Sequence, residues 1–399
     1  MRMQLERNVT DLTTFPDDWK VRSLGDLGSV VRGGSPRPAG DPRFFNGDYI
    51  PWLTVASLTN LSESAMHVTE TNGHLTEAGA ERSRVLDPDT LIVANSGATL
   101  GVAKILDLKC CANDGIAAII NQRAGDKRFV AYCINSQTDR LREVVATGNG
   151  QPNLNTDLIK GITVPFPPLP EQRAIAEALS DVDALIERLD ALIAKKRAVK
   201  TATMQRLLTG QQRLPGFDGA WETRRLGEIG STYGGLTGKT KKNFGTGSAQ
   251  YVPFLNVMNN VTIDLDQLEK VEVFEGESQN VVQKGDLLFN TSSETPEEVG
   301  MCSTLQDKVD TLYINSFCFG FRLHDDAGVD NLFLTYLFRS EVGRELIYSL
   351  AQGATRYNLS KSNFVKLEID FPNPKEQQAI AAILSDMDAE IEALEARCN

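Results

Sequence analysis

A chain of 399 residues, 41% of them hydrophobic, is too long for one ordinary core and too apolar to stay disordered, so two or three domains are expected. No stretch approaches the ~20 uncharged apolar residues of a membrane helix, the N-terminus lacks the apolar core of a signal peptide, and six cysteines show no CxxC or Cys/His spacing, which predicts a cytoplasmic protein with reduced thiols, no membrane contact and no metal. The net charge of -12 excludes a uniformly basic nucleic-acid binder but not a local basic face, because the acid is uneven: residues 216–371 carry 22 acidic against 14 basic side chains, and residues 1–168 only 19 against 17.

Residues 1–15 form an N-terminal segment in which Leu5, Val9 and Leu12 stand at i, i+4 and i+7, the spacing of a short helical stripe. From 16 to 168 short apolar runs (91–93, 116–120) alternate with Gly, Asn and Pro turns before a helical stretch at 129–145, which reads as an α+β domain with a curved β-sheet and long loops. Basic residues gather near its first Gly-Gly pair (Arg32, Arg37, Arg43). A proline-rich linker (VPFPPLP) then leads into a central helix, assigned with its flanks to 169–215. There Ile175, Leu179, Val182, Ile186, Leu189 and Ile193 step by 4, 3, 4, 3 and 4, the period of a coiled-coil seam; Lys195, Lys196, Arg197 and Lys200 form a further basic cluster on this helix. Residues 216–371 repeat the α+β pattern, with strand-like runs at 287–289 and 317–323, a helical stretch at 331–350, and Lys239, Lys241 and Lys242 beside the second Gly-Gly. After a second linker (DFPNPKEQ), residues 372–399 form a shorter distal helix in which Ile380, Leu384, Met387, Ile391 and Leu394 step in the same way.

The two halves are copies. The PPLPEQ signature at 167–172 and its helix match PNPKEQ at 372–377, WKVRSLGDLG at 19–28 matches WETRRLGEIG at 221–230, YIPWL at 49–53 matches YVPFL at 251–255, and Asn113 matches Asn315. Two identical seams in one chain imply two similar domains separated by two long coiled-coil helices that pack on each other. A compact second domain returns the chain close to where it entered, so the helices are antiparallel and the arrangement pseudo-two-fold symmetric. A helix of about 38 residues spans roughly 55 Å, enough to act as a ruler between sites about one turn of B-DNA apart. The distal helix stops about fifteen residues short of the first. The seam from Ile175 to Ile186 is therefore expected to need another cover, and a helix at 4–13 packed near Ile175, Leu179 and Val182 would supply it.

Several motifs now line up in order: GGSP at 33–36, FNGDYIPW at 45–52, NSGATLG at 95–101, NDGI at 113–116, QPNL at 151–154, the PPLPEQ helix ending in LLTG at 207–210, and, in the second copy, YGGLTGKT at 233–240 and FLNVMNN at 254–260. Over nearly the whole chain they resemble the specificity (S) subunit of type I restriction-modification systems. The resemblance implies a non-catalytic DNA-binding subunit with two target recognition domains, each reading one half of a bipartite, asymmetric double-stranded DNA site. It implies helices that set the spacer and dock two modification (methyltransferase) subunits, with restriction (translocase/endonuclease) subunits completing the complex. Adenine methylation, cleavage, and the binding of S-adenosylmethionine, ATP and Mg then belong to those partners, and no cofactor to this chain. The residues agree: there is no NPP[YFW] or FxGxG motif, GGLTGKT has the wrong glycine spacing for a phosphate loop, and His67, His74 and His324 are scattered through polar segments. A self-sufficient DNA methyltransferase or nuclease, which the missing motifs oppose, and a coiled-coil adaptor for proteins or glycans, compatible with the acidic total, are the competing readings.

Side chains able to read base edges or grip phosphate from loops are Ser35, Arg37, Ser96, Thr99, Asn149 and Gln151 in the first domain. Those in the second are Thr237, Lys239, Lys241, Lys242, Ser292, Ser293, Thr355 and Arg356.

Overall fold

The computed structural model describes residues 16, 18–146, 152–353 and 356–398, and the chain divides into two compact units, Met1–Asp190 and Ala191–Asn399. The stripe Leu5, Val9 and Leu12, and with it the helix expected at 4–13, lies outside the described residues, as do Asn149, Gln151 and Thr355.

In the first unit the strands Ser29–Arg32, Ile116–Ile120, Leu91–Ala94, Ala103–Leu106 and His67–Val68 form one sheet in that order, and His74–Leu75, Phe45–Leu53, Cys110–Ala112 and Arg84–Leu86 another. The apolar runs are continuous because both faces of the central strands are covered. Leu91, Val93, Ala117 and Ile119 enter one core, and Ile92, Ala94, Ile116 and Ala118 the other. The second unit repeats the order with Gly230–Gly234, Cys318–Leu323, Leu287–Asn290 and Cys302–Thr304, and again divides its strands between two cores, Phe319 and Phe321 to one side and Cys318 to the other. The fillings differ. Phe364 is fully buried with its ring centroid 4.9–5.6 Å from those of Phe289, Phe319, Phe321 and Phe338, whereas the matching short helix Thr156–Lys160 buries Ile159. Burial pushes the thiols of Cys110, Cys133 and Cys302 up to about 12, so they stay protonated and unreactive at neutral pH.

Three expectations shift. The helical stretches are each broken, 129–145 into Lys127–Asn135, Thr138–Arg140 and a π turn Leu141–Val145, and 331–350 into Asn331–Arg339 and Glu341–Tyr348. At the first break Asn135 turns its amide to the strand backbone, accepting from Ala103 N–H (2.7 Å) and donating to its carbonyl (3.1 Å); at the second, Ser340 accepts from Gly343 N–H (3.3 Å) and starts a new helix. The strand expected at 317–323 begins one residue later, which leaves Phe317 in the preceding turn. Finally, YIPWL and YVPFL are out of register by three residues. Asn113 N–H donates to Leu53 (2.9 Å) and Asn315 N–H to Val252 (3.1 Å), so Leu53, not Ile50, occupies the place of Val252. Proline decides this: Pro51 lies within the strand Phe45–Leu53, while Pro253 ends the strand and starts the helix Phe254–Asn259, leaving Leu255 65% exposed.

The long helix Leu169–Leu207 has 39 residues, about 58 Å at the usual rise. In the second unit its C-terminal half lies antiparallel to the helix Pro374–Cys398. Lys196 pairs with Glu390 (2.6 Å), Arg197 with Glu395 (2.7 Å) and Lys200 with Asp388, and beyond the helix end Arg213 pairs with Glu376 (2.6 Å). Three of the four cations in the central basic cluster are thus taken up by the second helix and are not free to face DNA. Of the seam residues here, Ile193, Ile380, Leu384 and Ile391 are buried, and Met387 and Leu394 half-buried. Ile380 and Leu384 also join the domain core beside Leu207, Leu208 and Tyr336. In the first unit Ile175 packs half-buried on that unit's core, Ile186 and Leu189 are half-buried, and Leu179 and Val182 are 40% and 52% exposed.

The glutamine of each PEQ signature is a joint between domain and helix. Gln172 accepts from Asp126 N–H (2.9 Å) and donates to the Pro167 carbonyl (2.8 Å); Gln377 accepts from Asp330 N–H (2.8 Å) and donates to the Pro372 carbonyl (2.8 Å). Asp126 and Asp330 in turn cap the helices Lys127–Asn135 and Asn331–Arg339. Farther along each long helix an aspartate accepts from a domain tyrosine, Tyr132 to Asp183 (2.6 Å) and Tyr336 to Asp388 (2.8 Å). Burial first and Asp183 second push the Tyr132 hydroxyl up to about 12, and burial first and Asp388 second raise Tyr336. Both therefore remain donors at neutral pH.

Candidate nucleic-acid interface

One turn is built alike in both units, between Cys110–Ala112 and Ile116–Ile120 in the first and between Leu312–Ile314 and Cys318–Leu323 in the second. Asn113 Oδ1 accepts from Gly115 N–H (3.1 Å) and Asn315 Oδ1 from Phe317 N–H (2.9 Å), the local asparagine turn that fixes such loops. The carbonyls of Gly115 and Phe317 accept from Asn95 N–H (2.9 Å) and Thr291 N–H (2.8 Å). Beneath each turn a glycine is required, since a Cβ on Gly33 or Gly235 would lie 2.0 or 2.1 Å from the Asn113 or Asn315 carbonyl oxygen. That close approach accounts for one glycine of each Gly-Gly pair.

What the turns display differs. In the first unit Asp114 accepts from the Ser35 hydroxyl (2.5 Å) and stands 3.5 Å from the Arg37 guanidinium, while Arg32 Nε donates to its carbonyl (2.6 Å). The Ser35 hydrogen bond above all, opposed by burial and assisted by Arg32 and Arg37, holds the Asp114 carboxyl below the ordinary carboxylate range. The structure thus brings Ser35 and Arg37 together around an acid that the sequence reading passed over. Ser96 forms a β-bridge with Asn153, and Thr99 Oγ1 is a buried atom with no hydrogen-bond partner among the described residues.

In the second unit Thr237 N–H donates to Gln279 Oε1 (3.0 Å), and Lys241 and Lys242 are exposed on a short 3-10 turn. Lys239 is committed to the fold: its side chain is 2% exposed, paired with Glu277 and 5.2 Å from the Phe274 ring. Ser292 is also structural, 5% exposed in a strand paired with Asn358, and Ser293 donates to Glu298 (2.7 Å). In this arrangement the side chains of Lys239 and Ser292, both candidates for DNA from the sequence, are buried. Arg356 lies with its guanidinium carbon 5.7 Å over the ring of Phe317, which is 55% exposed.

Two arginines that brace this face were missed. Arg142 donates to the carbonyls of Ala98 (2.8 Å) and Leu100 (3.1 Å), and Arg344 to those of Glu297 (2.9 Å) and Gly300 (3.0 Å), so the first clamps the loop that carries Ser96 and Thr99 and the second the loop that carries Ser292 and Ser293. The matched dipeptides Arg142-Glu143 and Arg344-Glu345 are the signal that could have found them.

Residues 16–195 and 219–398 each match the type I restriction modification DNA specificity domain. The chain belongs to this family. It is 29% identical over 189 residues to the MjaIX type I restriction enzyme specificity subunit of Methanocaldococcus jannaschii, an alignment covering 47% of this chain and 43% of that protein. It is 24% identical over 406 residues to the putative MjaX specificity subunit of the same organism, covering 96% of this chain and 90% of that one. The crystal structure of the type I restriction-modification S subunit from M. genitalium shares the fold, with a TM-score of 0.58 at 14% identity over 95% of this chain and 92% of that chain. Each unit is thus one type I specificity domain, and the braced turns sit at corresponding places in the two. No helix among the described residues is long and apolar enough to cross a membrane.

Proposed function

We propose that the chain is the non-catalytic DNA-recognition component of a type I restriction-modification complex, and that each unit reads one half of a bipartite, asymmetric duplex site. The observation that carries this reading is the shared turn: one backbone, held by matching hydrogen bonds, displays Asp114 with Ser35 and Arg37 in one unit and Phe317 with Arg356 in the other. A constant scaffold with divergent tips is what two readers of different half-sites need. The long helices set the spacer and dock two modification subunits, for which the exposed Leu179, Val182 and Leu185 offer an apolar stripe. Adenine methylation with S-adenosylmethionine belongs to those subunits, and cleavage with ATP and Mg to the restriction subunits. This chain supplies position and sequence, not chemistry.

The chain purified alone is therefore expected neither to bind S-adenosylmethionine nor to methylate DNA, and to confer sequence-specific adenine methylation when mixed with its modification subunit. Methyl transfer by the rigorously purified chain alone would overturn the reading.

A further inference from the structure

The second unit leaves two phenylalanines exposed among its described residues, Phe274 (53%) beside Lys239, and Phe317 on the asparagine turn. Phe289, Phe319, Phe321, Phe333, Phe338 and Phe364 are each at most 1% exposed, yet Phe317, two residues before Phe319, is 55% exposed. It is also held rigidly, because its N–H is bound by Asn315 Oδ1 (2.9 Å) and its carbonyl by Thr291 N–H (2.8 Å). The backbone cannot turn the ring inward without breaking both bonds. At the matching position the first unit has Gly115, where a Cβ would come within 2.6 Å of Val55 Cγ2 and 3.0 Å of Ser96 Oγ, so that unit closes the site which the second unit fills with an aromatic ring. Arg356 completes the feature by lying over the ring, where the π-face orients its guanidinium.

An exposed ring on a turn held by hydrogen bonds, with a cation beside it, is suited to a ligand having apolar flat surface next to negative charge. Duplex DNA presents this combination, since base edges and thymine methyl groups lie in a groove bordered by phosphates. We infer that Phe317, oriented by the turn and by Arg356, packs against base edges of the half-site read by the second unit and helps to set its sequence preference. This inference rests on the DNA-recognition reading above. Arg356 neutralises a neighbouring phosphate, and its loss weakens binding with little regard to sequence.

The test uses the chain assembled with its modification subunit, with preferred sites selected from a library of randomised duplexes and affinities measured on the selected duplex. Phe317→Ala is expected to weaken cognate binding about tenfold or more and to relax the preference in one half-site only, with Phe317→Leu retaining part of both. Thermal stability should be unchanged, because the ring packs in no core. Arg356→Ala should lower affinity for cognate and unrelated duplexes alike and reduce the salt dependence. Unaltered affinity and preference in Phe317→Ala overturns the inference, and so does weaker association with the modification subunit at unaltered half-site preference, which would place the ring in a protein interface. A wild-type complex with no sequence preference at all would instead overturn the DNA-recognition reading on which the inference stands.

Discussion

Replacing Phe364 with alanine is expected to destabilise the second unit by about 3–5 kcal/mol, the usual cost of removing a fully buried aromatic side chain. Four rings, those of Phe289, Phe319, Phe321 and Phe338, lean on this one. The cavity would open among rings drawn from the sheet and from the helix Asn331–Arg339 and so could not close by moving a single element. Phe364→Leu should cost less, since it leaves a smaller void. Denaturant unfolding followed by near-ultraviolet dichroism measures both. A loss of under about 1 kcal/mol in the alanine variant would mean that the aromatic cluster is not the core of this unit.

Gln377→Ala is the second large effect. The side chain is 1% exposed and serves Asp330 N–H and the Pro372 carbonyl. Its removal leaves the buried Pro372 carbonyl unpaired, at roughly 1–3 kcal/mol, and takes the partner from the part-buried Asp330 N–H as well. Gln377→Glu should not rescue stability, because a carboxylate can accept from Asp330 but would face the Pro372 carbonyl with no proton to give. The same pair of substitutions at Gln172 should act in parallel on the first unit, where the partners are Asp126 and Pro167. Melting temperatures of the four variants check the expectation. If Gln377→Ala melted like the wild type, the joint would be an ornament of the fold and the recurrence of the signature would need another cause.

Structure is legible in this sequence where one physical rule governs a long stretch. The duplication, the α+β units and the presence of two long helices, Leu169–Leu207 and Pro374–Cys398, are legible because the seam spacing and the PEQ signature persist over many residues. The pairing of Asn113 with Asn315 was legible too, because each asparagine bonds a backbone only two residues away. The misread places are those where a distant contact decides. The three-residue slip between YIPWL and YVPFL turns on whether a proline sits inside a strand or ends it, and similar letters do not show that. Lys239 stands in sequence beside Lys241 and Lys242 as a candidate for DNA, but its side chain is buried against Glu277, far along the chain. Asp114 is not among the loop side chains picked out for DNA, although Ser35 and Arg37, which are, both meet on its carboxylate. Phe317 opens an alternating apolar run and so read as strand; the asparagine turn before it, not the run itself, fixes its exposure.

The central claim is that each unit owns one half of the recognised site. Its most direct test is to map methylated adenines in cells that carry the modification subunit together with either the wild-type chain or a chimaera in which residues 16–168 come from another recognition domain. The account predicts that the chimaera keeps one half-site unchanged and acquires a new sequence in the other. A chimaera that folds and methylates yet changes both halves, or neither, would contradict it.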